Sequence, residues 1–243
     1  MKRAIVMGAS SGMGREVARL LLQKGWHVGV AARRKERLDE LCNEFPQLVV
    51  AEQIDVTSED AQERLLMLVG KLGGMDVYLH SSGVGWQNVD LDTDLEMRTV
   101  LTNGVGFTRM IDAAFRYFRE NNGGHIVAIS SIAGTKGLGP APSYSATKAF
   151  QNTYLESLEQ LSCNLGLGIS ITDIRPGFVD TPLIENANYP LKLDAQLVAR
   201  QIVKAIELKR HVSIIDWRYR CLVAGWRLLP RWLWRRLPLC RWS

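Results

Sequence analysis

Tyr144 and Lys148 lie four residues apart in Tyr144-Ser145-Ala146-Thr147-Lys148, at the start of a segment with helical period. In a helix that spacing puts both side chains on one face, a turn apart. An ammonium beside a phenol favours the phenolate and draws its pKa down from about 10. A phenol so tuned can exchange a proton with a carbonyl or alcohol oxygen. Most Tyr/Lys pairs at this spacing only decorate an exposed helix, so context decides. Thirteen residues before Tyr144, Ser131 closes the apolar run Ile126-Val127-Ala128-Ile129-Ser130-Ser131. The C-terminal ends of such buried strands are where open α/β sheets bind ligands.

A second stretch, Gly8-Ala9-Ser10-Ser11-Gly12-Met13-Gly14, separates the apolar run Arg3–Met7 from a helical pattern. Glycines there permit a tight turn and let backbone N–H groups approach a pyrophosphate at a helix N-terminus. The spacing is G-x-x-x-G-x-G and not the commoner G-x-G-x-x-G. The same residues also satisfy G-x-S-x-G, with Ser10 as the nucleophile of a hydrolase. That rival needs an upstream loop for its oxyanion hole, and only seven residues precede Gly8, so it is set aside. Nineteen residues after Gly14 stand Arg33 and Arg34, with no Asp or Glu beside them. An acid there would bind a ribose 2′-hydroxyl, whereas guanidiniums pair with a 2′-phosphate. NADP is therefore expected over NAD; the bland alternative is two solvated arginines opening the charged run Arg34-Lys35-Glu36-Arg37.

The elements that must position these groups read clearly. Strands are expected at Arg3–Met7, His27–Ala31, Leu48–Gln53, Val77–His80, His125–Ile129, Gly168–Ile174 and Val212–Ile215. Helical patterns alternate with them at Arg15–Lys24, Lys35–Glu44, Glu59–Leu72, Met97–Glu120, Tyr144–Leu165 and Ala195–Lys209. Near-continuous apolar strands separated by helices predict βαβ units around a buried parallel sheet. No internal repeat or low-complexity linker divides these residues, and 243 residues suit one α/β domain with its own core.

Charge is uneven along the chain. Net +5 comes from 30 basic and 25 acidic residues, but Trp217–Ser243 holds seven Arg and no acid, leaving −2 on residues 1–216. A near-neutral body argues against a nucleic-acid-binding face on the main fold. Five of the seven Trp also fall in this tail. On a helix over Tyr219–Leu237, Arg220, Arg227, Arg231 and Arg235 share one stripe, and Leu222, Trp226, Leu229, Leu233 and Leu237 share another. Pro230 should kink that helix or start a second one. Such a pattern fits peripheral contact with a membrane surface, or packing on the body or a partner subunit. Cys42, Cys163, Cys221 and Cys240 are far apart, with no metal-ligand spacing, and are expected as reduced thiols in a cytoplasmic protein. The apolar run after Met1 is too short for a signal peptide, and no stretch approaches a membrane span.

Taken in order, the glycine turn, Arg33, Asp55-Val56, Asn103-x-x-Gly106, Ser131, Tyr144-x-x-x-Lys148 and Pro176-Gly177 with Thr181 make the chain resemble the short-chain dehydrogenase/reductase family over about residues 3–216. The resemblance implies a doubly wound, Rossmann-type parallel sheet of about seven strands, ordered 3-2-1-4-5-6-7, with helices on both faces. The NADP-binding catalytic domain would span residues 1–216 and the basic, Trp-rich helical tail residues 217–243. It also implies roles. Tyr144 is the acid/base, Ser131 orients the reacting oxygen, and Lys148 lowers the Tyr144 pKa and holds the nicotinamide ribose. Asn103, in the long fourth helix, holds a water that relays protons from Lys148 to solvent. For the cofactor the resemblance implies Gly8, Ser10, Ser11, Gly12, Met13 and Gly14 at the phosphates, Arg33 and Arg34 at the 2′-phosphate, and Asp55 and Val56 at adenine. Ser82 and Gly83 follow the fourth strand, while Pro176, Gly177, Val179 and Thr181 frame the carboxamide.

Two positions depart from the family pattern. His80-Ser81-Ser82-Gly83 replaces Asn-Asn-Ala-Gly, and Met7 replaces a Thr. His80 is expected to make a structural hydrogen bond and no catalytic one. The implied activity is hydride transfer between NADP(H) and a secondary alcohol or carbonyl, with no metal, in a homo-oligomer. The short, apolar segment Leu183–Leu193 (Ile184, Tyr189, Pro190, Leu191, Leu193) points to a hydrophobic substrate. The rival from another class is a non-catalytic dinucleotide-binding sensor or scaffold.

Overall fold

Seven apolar runs form seven strands: β1 Arg3–Met7, β2 His27–Ala32, β3 Val49–Gln53, β4 Val77–His80, β5 Gly124–Ile129, β6 Ile169–Arg175 and β7 Val212–Ile214. The computed structural model describes residues 2–184, 189 and 191–238. All six strand pairings are parallel and the sheet order is β3-β2-β1-β4-β5-β6-β7, as the resemblance implied. The helices are α1 Gly12–Gln23, α2 Lys35–Glu44, α3 Ala61–Leu72, α4 Thr93–Val100, α5 Phe107–Glu120, α6 Pro142–Leu165, α7 Ala195–Glu207, α8 Trp217–Leu228 and α9 Arg231–Trp234.

Successive strand residues point to opposite faces, and both faces are covered. On β1, Ala4 and Val6 pack with Val17 and Leu21 of α1 and Val198 and Ile202 of α7. Ile5 and Met7 pack the other way, with Leu65 and Leu68 of α3, Phe107 and Ile111 of α5 and Leu155 of α6. That double burial explains why the strands read as continuous apolar runs. Beside β1 the order reverses, β2 lying on one side and β4 on the other, and such a switch point opens a crevice at the strands' C-terminal ends. Into it lead the turn after β1, Ser81–Gly83 after β4, Ser131 after β5 and Pro176-Gly177 after β6.

The expected single helix Met97–Glu120 is corrected. α4 ends at Val100, a π-helical turn spans Leu101–Gly106, and α5 begins at Phe107. Asn103 therefore sits in the widened turn, where Gly106 allows close packing: a Cβ there would come 2.8 Å from Val56 Cγ2. π-turns of this kind cluster at functional sites.

In the tail, α8 and α9 are separated by Leu229 and Pro230, both extended. The buried stripe differs from the expected one. Tyr219 and Val223 enter the main core and Trp226 packs against it, while Leu222 remains 47% exposed. Tyr219 and Val223 are four apart and reach the core first, which rotates the whole stripe away from Leu222. The basic residues lie outside this contact: Arg220, Arg227, Arg231, Arg235 and Arg236 are exposed. Among the described residues no helix is long and apolar enough to cross a membrane. Pro190 and Cys240 lie outside the described residues.

Candidate active site

The turn after β1 is shaped by backbone. Gly8 N–H donates to the Ala31 carbonyl at 2.7 Å, drawing the chain across the top of β2. Gly8 has φ +94° and a Cβ there would lie 2.7 Å from Ser82 N, while Gly12 has φ +55° and its Cβ would lie 3.2 Å from Thr181 Cγ2. Both positions therefore need glycine on conformational grounds and on space. At Gly14 a Cβ would strike the Gly8 carbonyl and would come 2.9 Å from Ser81 Oγ. α1 starts at Gly12, earlier than its apolar period indicates, with Ser11 as an N-cap whose side chain makes no capping bond. Its first turn holds no acid and no side chain caps it, so the positive end of the helix keeps its capacity to bind an anion. Met13 is half-buried, its side chain packed against the core.

At the rim, the Arg34 guanidinium donates to Ser10 Oγ at 3.0 Å and Ser11 Oγ at 2.7 Å. Arg33 is exposed, and its guanidinium has no ion-pair partner among the described residues. Its carbonyl is held by Gln53 Nε2 at 2.8 Å. Asp55 Oδ1 accepts from Thr57 N at 3.0 Å and Thr57 Oγ1 at 2.7 Å, bending the chain after β3. Val56 is buried against Gly106, and its carbonyl accepts from Arg109 Nη1 at 3.2 Å. A glycine turn, an uncapped helix N-terminus and two guanidiniums together fit a phosphorylated dinucleotide.

Ser131, Tyr144 and Lys148 meet on the other side of the crevice. Ser131 caps a short 3-10 turn, Ile132–Thr135, and its Oγ accepts from Ala133 N at 3.0 Å, which fixes the oxygen and leaves the hydroxyl proton free to donate. Pro142 in the first turn of α6 starts that helix just ahead of Tyr144. Lys148 is buried, with Nζ 5.7 Å from the centre of the Tyr144 ring. Its ammonium donates to the Ile129 carbonyl at 3.1 Å and to Gln151 Oε1 at 3.0 Å. Burial lowers the Lys148 pKa to about 8, opposed by the Asp173 carboxylate. Burial also raises the Tyr144 pKa, opposed by the hydroxyl of Ser131 and reinforced by the phenol of Tyr189. The expectation that Lys148 draws the Tyr144 pKa down is thus corrected: burial outweighs any lowering, and the ammonium, 5.7 Å from the ring centre, is not among the groups that shift it. Tyr144 stays protonated, ready to give a proton to a carbonyl oxygen.

Asn103 is fully buried, clamped to Val84 by two bonds: Val84 N donates to Oδ1 at 2.9 Å and Nδ2 donates to the Val84 carbonyl at 2.7 Å. Its own carbonyl accepts from Gln151 Nε2 at 2.8 Å. Lys148 and Asn103 are therefore joined through Gln151, a residue the sequence reading missed although it lies three places after Lys148 on the same helix. Gly85 was missed as well. Its Cβ would come 2.7 Å from Tyr144 Cε2, so it is the space that admits the tyrosine ring; only its nearness to Gly83 could have drawn notice. Gly83 lies beneath the pair, its Cβ position 3.3 Å from Asn103 Oδ1 and 3.7 Å from Lys148 Nζ. His80 is buried, sharing a 3.0 Å hydrogen bond through Nδ1 with Tyr78 Oη, and burial and the Lys148 charge lower its pKa to about 3. It is neutral and adds no charge beside Lys148. After β6, the Pro176 carbonyl accepts from Ile132 N at 3.1 Å, joining this segment to the Ser131 loop. Val179 is buried and accepts from Thr181 Oγ1 at 3.2 Å.

The sequence profile of the short chain dehydrogenases matches residues 2–191. The chain belongs to the short-chain dehydrogenase family. An uncharacterized oxidoreductase of Myxococcus xanthus is 36% identical to it over 204 residues, 78% of this chain and 77% of the relative. Another, from Staphylococcus aureus, is 32% identical over 219 residues, 88% of this chain and 94% of the relative. Among solved structures, a serine dehydrogenase in a closed form complexed with NADP+ superposes with a TM-score of 0.79 at 25% identity, covering 88% of this chain and 94% of that one. A short-chain dehydrogenase from Streptomyces avermitilis gives 0.80 at 25% identity, with 92% of both chains covered. This short-chain dehydrogenase is accordingly an oxidoreductase with a Rossmann-type sheet.

Proposed function

We propose that this oxidoreductase interconverts a secondary alcohol and a carbonyl using NADP(H). The observation that carries the reading is the buried Lys148 ammonium, held by Ile129 and Gln151 against the ring of Tyr144. The Gly8–Gly14 turn and the α1 N-terminus would hold the pyrophosphate, and Arg33 and Arg34 the 2′-phosphate. Asp55 and Val56 would border adenine, Ser82 and Gly83 the adjoining ribose, and Pro176, Gly177, Val179 and Thr181 the carboxamide. Bound there, the nicotinamide supplies or accepts the hydride. Ser131 donates a hydrogen bond to the substrate oxygen, and Tyr144 gives that oxygen a proton in reduction or removes it in oxidation. Lys148 would hold the nicotinamide ribose beside Tyr144, and Asn103 anchors the route by which the proton is replenished. The NADP+ held by the structurally similar serine dehydrogenase supports the cofactor assignment.

The substrate is read as hydrophobic, because Leu183, Leu191 and Tyr189 stand near the opening and Leu183 and Leu191 are exposed. In this reading residues 1–216 are the NADP-binding catalytic domain and residues 217–243 the appended tail. A homo-oligomer is supported by the exposed apolar row Met97, Val100, Leu101, Val105 and Phe150 on α4, the π-turn and α6. Contact with an anionic membrane surface is supported by the outer side of the tail, where Trp217 is 67%, Trp232 61% and Leu228 85% exposed among arginines. Localisation is then cytoplasmic, peripheral to the inner face of a membrane. Following NADPH absorbance across a panel of apolar ketones and aldehydes tests the activity. Turnover is expected; NADPH binding with no turnover on any carbonyl would favour the sensor reading instead.

A further inference from the structure

Tyr219, on α8, is fully buried although its segment lies beyond every residue assigned to the chemistry. Its ring fills the space beside Gly177, where any Cβ would strike it, and stands edge-on to Phe178 at 6.5 Å between centres. Its hydroxyl accepts from Phe178 N at 3.2 Å and donates to the Leu191 carbonyl at 3.0 Å. Phe178 and Leu191 flank the two ends of one excursion of the chain after β6, whose neck is also closed by Leu193 N donating to the Phe178 carbonyl at 2.8 Å and Asp180 N to the Leu193 carbonyl at 2.9 Å. One phenol thus ties together both ends of the segment that carries Val179 and Thr181.

The contact continues to the reacting groups. Phe178 stacks on Tyr189 with ring centres 4.0 Å apart and planes within 7°. Tyr189 Oη accepts from Gln87 Nε2 at 2.7 Å across the cleft, and its phenol is near enough to Tyr144 to raise that residue's pKa. A second attachment holds the other wall. Lys136 Nζ donates to the Leu229 carbonyl at 2.8 Å, and Trp234 Nε1 donates to the Gly137 carbonyl at 2.7 Å, with Lys136 over the Trp234 ring at 5.4 Å. Lys136 and Gly137 follow directly on the turn that Ser131 caps.

We propose that the C-terminal segment is a positioning element of the active site, with Tyr219 holding the wall after β6 and Trp234 the loop after Ser131. The inference deepens the oxidoreductase reading, on which its catalytic consequence rests. Tyr219 touches no reacting atom; it acts through Phe178, Leu191 and Tyr189. Both sides of the cleft are then set by residues that come last in the chain, and substitutions in the tail alter ligand affinity without touching Tyr144 or Lys148.

The test compares the full chain with Tyr219→Phe and Trp234→Phe. A chain ending at Asp216 would delete the core residues Tyr219 and Val223 and could fail to fold, so it is not the deciding variant. Tyr219→Phe keeps the ring on Gly177 and removes both hydroxyl bonds. Measured well below its melting temperature, it should lose about tenfold in kcat/KM for the carbonyl, from two hydrogen bonds of ordinary strength. Most of that loss should appear in KM, with kcat and its pH profile kept, because the proton-transfer groups are intact. Amide exchange at Phe178 and Val179 should accelerate while β1 and β4 stay protected. A lower melting temperature with unchanged KM and kcat would make Tyr219 merely structural and overturn the proposal. Unchanged exchange at Phe178 would overturn it too, whatever the kinetics. Should the full chain reduce no carbonyl at all, the oxidoreductase reading falls by itself, and the exchange comparison still decides whether Tyr219 holds this wall.

Discussion

The two sides of the crevice are built by opposite means. The turn after β1 is made of backbone: three glycines, a helix N-terminus and a pair of rim arginines, all within one βαβ unit. The catalytic corner is made of side chains converging from the end of β5, the π-turn and α6 over Gly83, joined by hydrogen bonds through Gln151 and Asn103. A cradle of N–H groups matches any diphosphate and asks little of its neighbours. A tuned phenol depends on every group that buries or opposes its charge. Damage to the first side should therefore appear in cofactor affinity, and damage to the second in turnover.

Tyr144→Phe gives the largest expected effect. It should cut kcat by about 10²–10⁴, the usual worth of positioned proton transfer, while NADPH affinity by titration changes little. Retention of a tenth of the activity would dissolve the contrast between the two sides. Next comes Arg33→Asp, which removes a partner for the 2′-phosphate and supplies a ribose acceptor. NADPH should bind about 10–100-fold more weakly, the loss of one charge-assisted hydrogen bond, and NADH more tightly, as read by fluorescence titration. Arg33 has no ion-pair partner among the described residues, so its melting temperature should hardly move. Unchanged NADPH affinity would pass the role to Arg34, which already spans Ser10 and Ser11.

The pH profile sharpens the comparison further. Burial depresses the Lys148 pKa to about 8, so the ammonium is present below that value and lost as pH rises through it. kcat/KM for NADPH, which reports the free protein, should be level at neutral pH and fall by about tenfold per unit well above pH 8. A profile flat to pH 10 would mean that Lys148 carries no such charge-dependent role. Gly12→Ala has the smallest effect. A positive φ costs a side chain roughly 1–2 kcal/mol, and Thr181 must give way, so NADPH affinity should drop by several-fold. Its kcat at saturating cofactor should match the parent chain, and a fall in kcat instead would show that the turn reaches the chemistry.

How much was legible follows from range in sequence. Arg3–Met7, Lys35–Glu44 and Val77–His80 were readable to the residue because each carries its own pattern of burial and period. The break at Leu101–Gly106 was not, since both flanks keep helical period and only packing of Gly106 on Val56 shows the need for a wider turn. Gln151 looked like one more polar residue on a long helix until its two bonds to Lys148 and Asn103 were seen.

By itself the sequence determined the strands, their parallel βαβ alternation, the glycine turn and the Tyr–Lys pair, because these are local properties of the chain, while the strand order and the roles of the lining groups came from the family resemblance those motifs carry. Only the tertiary structure decided what those groups are tuned by. Lys148 is held by a strand carbonyl nineteen residues away, the Tyr144 ring fits against Gly85, and Tyr219, read as part of an outlying tail, closes the wall after β6. Burial, and with it the direction of each pKa shift, depends on which distant surfaces meet. No window along the chain contains that information.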